Sequence, residues 1–121
     1  MQSLLKQKGN KMKLLTKEIT DKAQKQYDKG SDLEGQMVVA KFFNPAGRGT
    51  WYLMNLADDK DYAWGIVDLF EVEMGSFSIK ELSDAKLPFG LGIERDINFS
   101  GTYSDLKNLA KGSKSYTQWG V

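Results

Sequence analysis

Glu94-Arg95-Asp96 is the densest charged triplet in the second half of the chain. In an extended segment side chains alternate, so Glu94 and Asp96 share one face and Arg95 takes the other. A guanidinium presented this way can bind a carboxylate or phosphate in bidentate fashion, or it can simply pin its own strand through a salt bridge. Arg48, flanked by Gly47 and Gly49, is the second candidate for such an anion. A small-ligand or phosphoester site would draw Arg48, Glu94, Arg95 and Asp96 together. A second group is acidic: Asp58, Asp59, Asp61, Asp68, Glu71 and Glu73 crowd one stretch. It lacks the spacing of a calcium loop, so no metal site is assigned, and a solvated turn or a docking patch are its two readings. A third group is aromatic. Trp51, Tyr52, Tyr62 and Trp64 fall on what read as neighbouring strands, where they are either core or, with Arg48 at the rim, the composition of an interface hot spot.

The chain contains no histidine and no cysteine. That removes disulfides, thiol nucleophiles, the usual zinc and iron–sulfur ligands and the imidazole base of most triads. Gly90-Leu91-Gly92 opens like a dinucleotide fingerprint, but Arg95 stands where the third glycine belongs and no βαβ pattern surrounds it. The expectation is therefore a protein that is not an enzyme and carries no cofactor. With 121 residues, 40% hydrophobic and 27% charged, the chain has the composition of one globular domain.

The net charge of +1 hides an asymmetry. Residues 1–30 hold eight lysines against three acids, residues 31–106 carry −7, and residues 107–121 add three lysines and no acid. An acidic body between basic ends repels a phosphate backbone over most of its surface, so nucleic acid is expected to bind only weakly, through the ends. No apolar run approaches the roughly 18 residues of a membrane span, and no signal peptide is evident; the cytoplasm is the expected location.

Leu15, Ile19, Ala23 and Tyr27 recur every four residues and predict a helix over 17–28, with Thr16 as N-cap and Gly30 as stop. Gln36–Phe43, Thr50–Ala57, Tyr62–Phe70 and Glu73–Ser78 read as strands joined by short turns, hence as an antiparallel meander. Ser78-Ile79-Lys80-Glu81 fits a capping box opening a helix over 79–85. Ile93–Phe99 reads as an edge strand and 103–110 as a last short helix. The fold class is α+β: a small antiparallel sheet of four to five strands with an N-terminal helix and two short helices packed on it. Residues 1–11 read as a loose basic extension, 12–110 as the domain and 111–121 as a flexible tail.

Several blocks resemble a single family. They are Met12–Ile19, Val38–Pro45 followed by Thr50-Trp51-Tyr52, Gly75–Leu82 and Pro88–Asp96, in that order along residues 12–106. The family is a short bacterial domain of unknown function, DUF2958-like, found largely on plasmids, conjugative elements and prophages. Its members usually begin at the position of Met12, which marks residues 1–11 as an upstream extension or an alternative start. Ser76 departs from the aromatic that many members carry there. The family brings no activity. What the resemblance implies is context: mobile elements encode small acidic inhibitors of host defence, of the anti-restriction and anti-CRISPR kinds, that bind host proteins or nucleoprotein complexes. On that reading the docking surface is Asp58, Asp61 and Glu71 together with Arg48, Trp51 and Trp64.

Overall fold

Thr16 opens the first helix, α1 (Lys17–Lys25), as its residue type predicts: its hydroxyl accepts the Ile19 N–H at 3.1 Å. The computed structural model describes residues 13–32, 35–99 and 101. The predicted N-terminal extension, the helix over 103–110 and the tail over 111–121 lie outside the described residues. α1 is shorter than the periodicity suggests. After Gln26 the chain tightens into a 3₁₀ turn, Tyr27–Lys29, and leaves through Gly30 at φ +51°.

Five strands follow: β1 (Ala40–Phe43), β2 (Thr50–Leu56), β3 (Tyr62–Asp68), β4 (Val72–Ser78) and, after helix α2 (Ile79–Asp84), β5 (Glu94–Arg95). They form one antiparallel sheet in the order β4-β3-β2-β1-β5. The sheet is the meander read from the turns, with β5 returning to the free side of β1. Its first face carries both helices. Ala23, Phe42, Leu53, Leu56, Ala63, Ile79 and Leu82 are buried there. The second face packs Val38, Tyr52, Met54, Ile66 and Met74 against Trp64, Val72 and Phe99.

One irregularity decides which side chains reach which face. Leu53 pairs with Gly65 and Asn55 with Trp64, so Met54 is an extra residue in β2. Strict alternation would send Leu53 and Leu56 to opposite faces. The bulge lets both join the helix-covered core and turns Met54 to the other side.

Two predicted strands are shorter than expected, each for a visible reason. Residues 36–39 touch the sheet only through a bridge at Met37 and the Val39 N–H, which donates to the Leu53 carbonyl at 2.7 Å; the Gln26 amide takes Met37's own groups, accepting its N–H at 2.7 Å and donating to its carbonyl at 3.0 Å. Gln26 also donates to the Met54 carbonyl at the bulge. Beside it, Gln36 donates to the Gly30 and Asp32 carbonyls, and Asn55 donates to the Gly30 carbonyl and to the Gln36 side-chain oxygen. Gln26, Gln36 and Asn55 are all buried. β5 stops after two residues because Asp96 starts a turn, its carboxylate accepting the Asn98 N–H and its carbonyl the Phe99 N–H.

The α2 cap also differs from the capping box read in the sequence. Ser78 Oγ accepts the Glu81 N–H at 3.0 Å as expected, but the second partner is Asp61, from the β2–β3 turn. Asp61 Oδ1 accepts from the Ser78 hydroxyl at 2.6 Å and from the Lys80 N–H at 2.9 Å. These bonds, that of Ser78 first, and the Lys80 charge hold the Asp61 carboxyl below its ordinary range. The fold therefore gains stability from ionised Asp61 above the unfolded pKa and loses it as pH falls through the lower folded value. Asp61→Asn keeps an oxygen that can accept the same bonds. Its urea midpoint is expected to be lower than wild type at neutral pH and to fall less as pH drops below the ordinary carboxylate range.

Candidate functional site

The alternation of β1 buries Ala40 and Phe42 on the first face and sends Lys41 and Phe43 to the second. Lys41 lies opposite Tyr52, and Phe43 lies between Thr50 on β2 and Glu94 on β5, so these side chains share the second face. The Asp96 N–H donates to the Lys41 carbonyl at 2.9 Å, which carries the Asp96 carboxylate to 3.8 Å from the Lys41 ammonium. Between these strands and the Asn44–Gly49 turn opens a cavity of about 610 Å³, walled by Lys41, Phe43, Asn44, Thr50, Glu94, Arg95 and Asp96. Asn44 shapes the turn, accepting the Ala46 N–H at 2.7 Å and donating to the Arg48 carbonyl at 3.2 Å.

Tyr52 lies beside Lys41 on the same face. Its ring lies 5.9 Å from the Lys41 ammonium and 6.0 Å, centre to centre, from the Phe99 ring. Burial, then the charges of Asp68 and Asp96, push its phenol above the ordinary value. It therefore stays protonated and is a donor rather than a base. Glu94 and Asp96 line the cavity together with Lys41 and Arg95, and the Lys41 ammonium is already engaged by Asp96. Glu94 has no ion pair among the described residues. Glu94 is thus the carboxylate open to a guanidinium or ammonium head, with Phe43 beside it for an apolar stem.

The triplet splits as the alternation predicts, with Glu94 and Asp96 turned to the cavity and the Arg95 guanidinium turned the other way. It donates to the carbonyls of Lys13 and Leu14, the latter at 3.3 Å. Arg48 does not join them: it pairs with Asp68 at 3.5 Å and reaches the Phe70 carbonyl at 3.5 Å. The acidic stretch is divided as well. Asp58 is exposed at the β2–β3 turn and Asp61 is spent on the α2 cap, whereas Glu71 is exposed beyond the far end of β3. Seven strand residues separate the two turns, about 20 Å at 3.3 Å per residue.

The aromatic surface is not assembled either. Trp51, opposite Val67, packs against the first-face core, whereas Trp64, opposite Asn55, packs on the second face with Tyr52 and Tyr62 on the same side. Trp51 and Tyr52 are neighbours in sequence and so point apart, and the Met54 bulge places Trp64 against Asn55 rather than against a residue in step with Trp51. Lys41 and Phe43 were not among the predicted binding residues. The available signal was Lys41 itself, a lone charge inside the apolar run Val38–Phe43.

A protein-family model matches residues 9–115 of the chain. The chain belongs to the family described as a protein of unknown function, DUF2958. No curated protein and no solved structure matches it. The blocks that carry the resemblance to DUF2958 supply the cavity directly: Val38–Pro45 contributes Lys41, Phe43 and Asn44, Thr50 opens β2, and Pro88–Asp96 contributes Glu94 and Asp96. Among the described residues of this DUF2958 chain, no helix is long and apolar enough to cross a membrane.

Proposed function

We propose that this DUF2958 protein is a non-catalytic accessory protein of mobile genetic elements that acts in the cytoplasm by binding another protein, in the role of a host-defence inhibitor. The observation that carries the binding half of this reading is the cavity between β1 and β5, where Asp96 is paired with Lys41 and Glu94 is left without an ion pair among the described residues, beside Phe43. It favours a basic side chain of the partner. Defence machinery that handles nucleic acid presents such side chains in abundance, and an acidic body of −7 over residues 31–106 draws them in. The mobile-element context rests on the family resemblance alone.

A second reading keeps the cavity and changes the occupant, since about 610 Å³ falls within the range of small-molecule sites. A phosphoester fits this cavity less well than a small amine. Arg48 is paired elsewhere, and the Arg95 guanidinium serves the N-terminal segment on the other face.

NMR titration separates these readings. N-acetylarginine amide is expected to shift the signals of Phe43, Glu94 and Asp96, and Glu94→Gln with Asp96→Asn is expected to weaken that binding about tenfold, roughly the 1.4 kcal/mol of a charge-assisted pair. Inorganic phosphate should leave the same signals in place. Shifts with phosphate and none with the arginine amide would hand the site to the phosphoester reading.

A further inference from the structure

We infer that the open margin of β4 is a self-association surface, on which a second copy of this chain adds its own β4 antiparallel, centred on Gly75. β4 ends the sheet, and among the described residues no strand pairs with its outer side. Its seven pairs with β3 run without a break, and its sequence, Val-Glu-Met-Gly-Ser-Phe-Ser, holds no proline and no lysine. Short length, proline, lysine or a bulge is what normally keeps such a margin from pairing again. The opposite margin is built differently, since β5 is only two residues long.

The Ile79 N–H donates to the Asp61 carbonyl at 3.0 Å, which fixes the hydrogen-bond phase of the strand. Phe77, Gly75 and Glu73 therefore bond to β3, whereas Val72, Met74, Ser76 and Ser78 turn their backbone N–H and carbonyl groups outward. Glu73 and Ser76 are exposed. Nothing in the single chain calls for a glycine at position 75: its φ is not positive, and no atom lies within 4 Å of its Cβ position. A glycine inside a strand commonly marks the close approach of another backbone.

The pattern of β4 is complementary to itself, which selects a second copy as the occupant. A two-fold axis at Gly75 is the symmetric register that pairs all seven residues. Met74 and Ser76 then exchange both backbone bonds with their mates, and the Ser78 N–H meets the Val72 carbonyl. On the second face a large side chain meets a small one each time, Met74 with Ser76 and Val72 with Ser78. The two Glu73 carboxylates stay four residues apart along the strand, about 13 Å, beyond a screening length of about 8 Å. Phe70, 92% exposed in the turn before β4, comes level with Lys80 at the start of α2 in the second copy, so it borders the contact at each end. The chain as a whole carries +1, so long-range repulsion between copies is small. The cavity lies at the other margin of the sheet, between β1 and β5, and stays open in such a dimer.

Sedimentation velocity of the full-length chain, from low to high micromolar, is expected to show the mass rising from one chain to two. Ser76→Pro removes an outward N–H that β3 does not use. It should weaken the association roughly tenfold or more while the urea midpoint stays near wild type. A second pair of variants covers the case in which proline harms the fold, because the chain has no cysteine of its own. Gly75→Cys places its thiol at the axis, where facing Cα atoms stand about 4.5 Å apart, and mild oxidation should give a covalent dimer. Glu73→Cys, four residues from its mate, should not. Crosslinking of Glu73→Cys as readily as Gly75→Cys, or association that folded Ser76→Pro leaves unchanged, overturns the inference. So does a single-chain mass at every concentration. In that event a Gly75→Cys thiol open to maleimide leaves the margin to a strand of another protein, and a shielded one assigns it to the chain's own ends.

Discussion

Gly65→Ala is expected to abolish the fold or to cost it about 3 kcal/mol or more in urea unfolding. A Cβ on Gly65 would sit 1.9 Å from the Tyr52 carbonyl oxygen, 3.0 Å from its carbon and 3.1 Å from the Met54 nitrogen. All three are backbone atoms at the β2 bulge, so no side chain can swing away to make room. The two central strands would have to part. Gly75, which pairs with Gly65 across β3 and β4, supplies the control: nothing lies within 4 Å of its Cβ position. Gly75→Ala should therefore be neutral or slightly stabilising. Equal stability of the two variants would refute the close-approach account.

Gln26→Ala should be the most costly polar substitution, at about 3 kcal/mol, because one amide serves the Met37 N–H, the Met37 carbonyl and the Met54 carbonyl. Removing it orphans three backbone groups around a buried side chain, each worth about 1 kcal/mol or more when left without a partner. Gln24 lies two residues earlier on the same helix and donates once, to the Ala57 carbonyl at 3.1 Å. Gln24→Ala should cost about 1 kcal/mol or less. Chemical denaturation of both variants at one pH compares them, and similar losses would mean that the Gln26 bonds are replaced by water.

The glutamines also mark where sequence reasoning stops. Gln26, Gln36 and Asn55 look like solvent-facing residues, and nothing in their spacing says that each will meet a backbone group from 4 to 28 residues away. The elements themselves were legible. Thr16 and Ser78 cap the helices they precede, and the turns at Asn44–Gly49 and Asp58–Asp61 deliver the antiparallel meander. Of the charged triplet, the division of Glu94 and Asp96 from Arg95 follows from alternation and could be read directly. The structure does not bring the aromatic and acidic residues onto one face, because proximity in sequence is not proximity on one face of a sheet. Adjacent strand residues such as Trp51 and Tyr52 point apart, and the ends of a seven-residue strand are far from one another. The bulge at Met54 resets the alternation at a position where the sequence shows only Leu-Met-Asn-Leu.

Arg95 joins the two ends of the described chain: a residue of the last strand grips carbonyls more than 80 positions earlier, at Lys13 and Leu14. The outer rim of β1, with Phe42 and Phe43 on it, is shielded by a strand only two residues long, and Arg95 of that strand makes the clasp. With the clasp loosened, that rim becomes an unpaired edge open to edge-to-edge association. Loosening the clasp would show itself first as aggregation during refolding, well before any loss of the finished sheet.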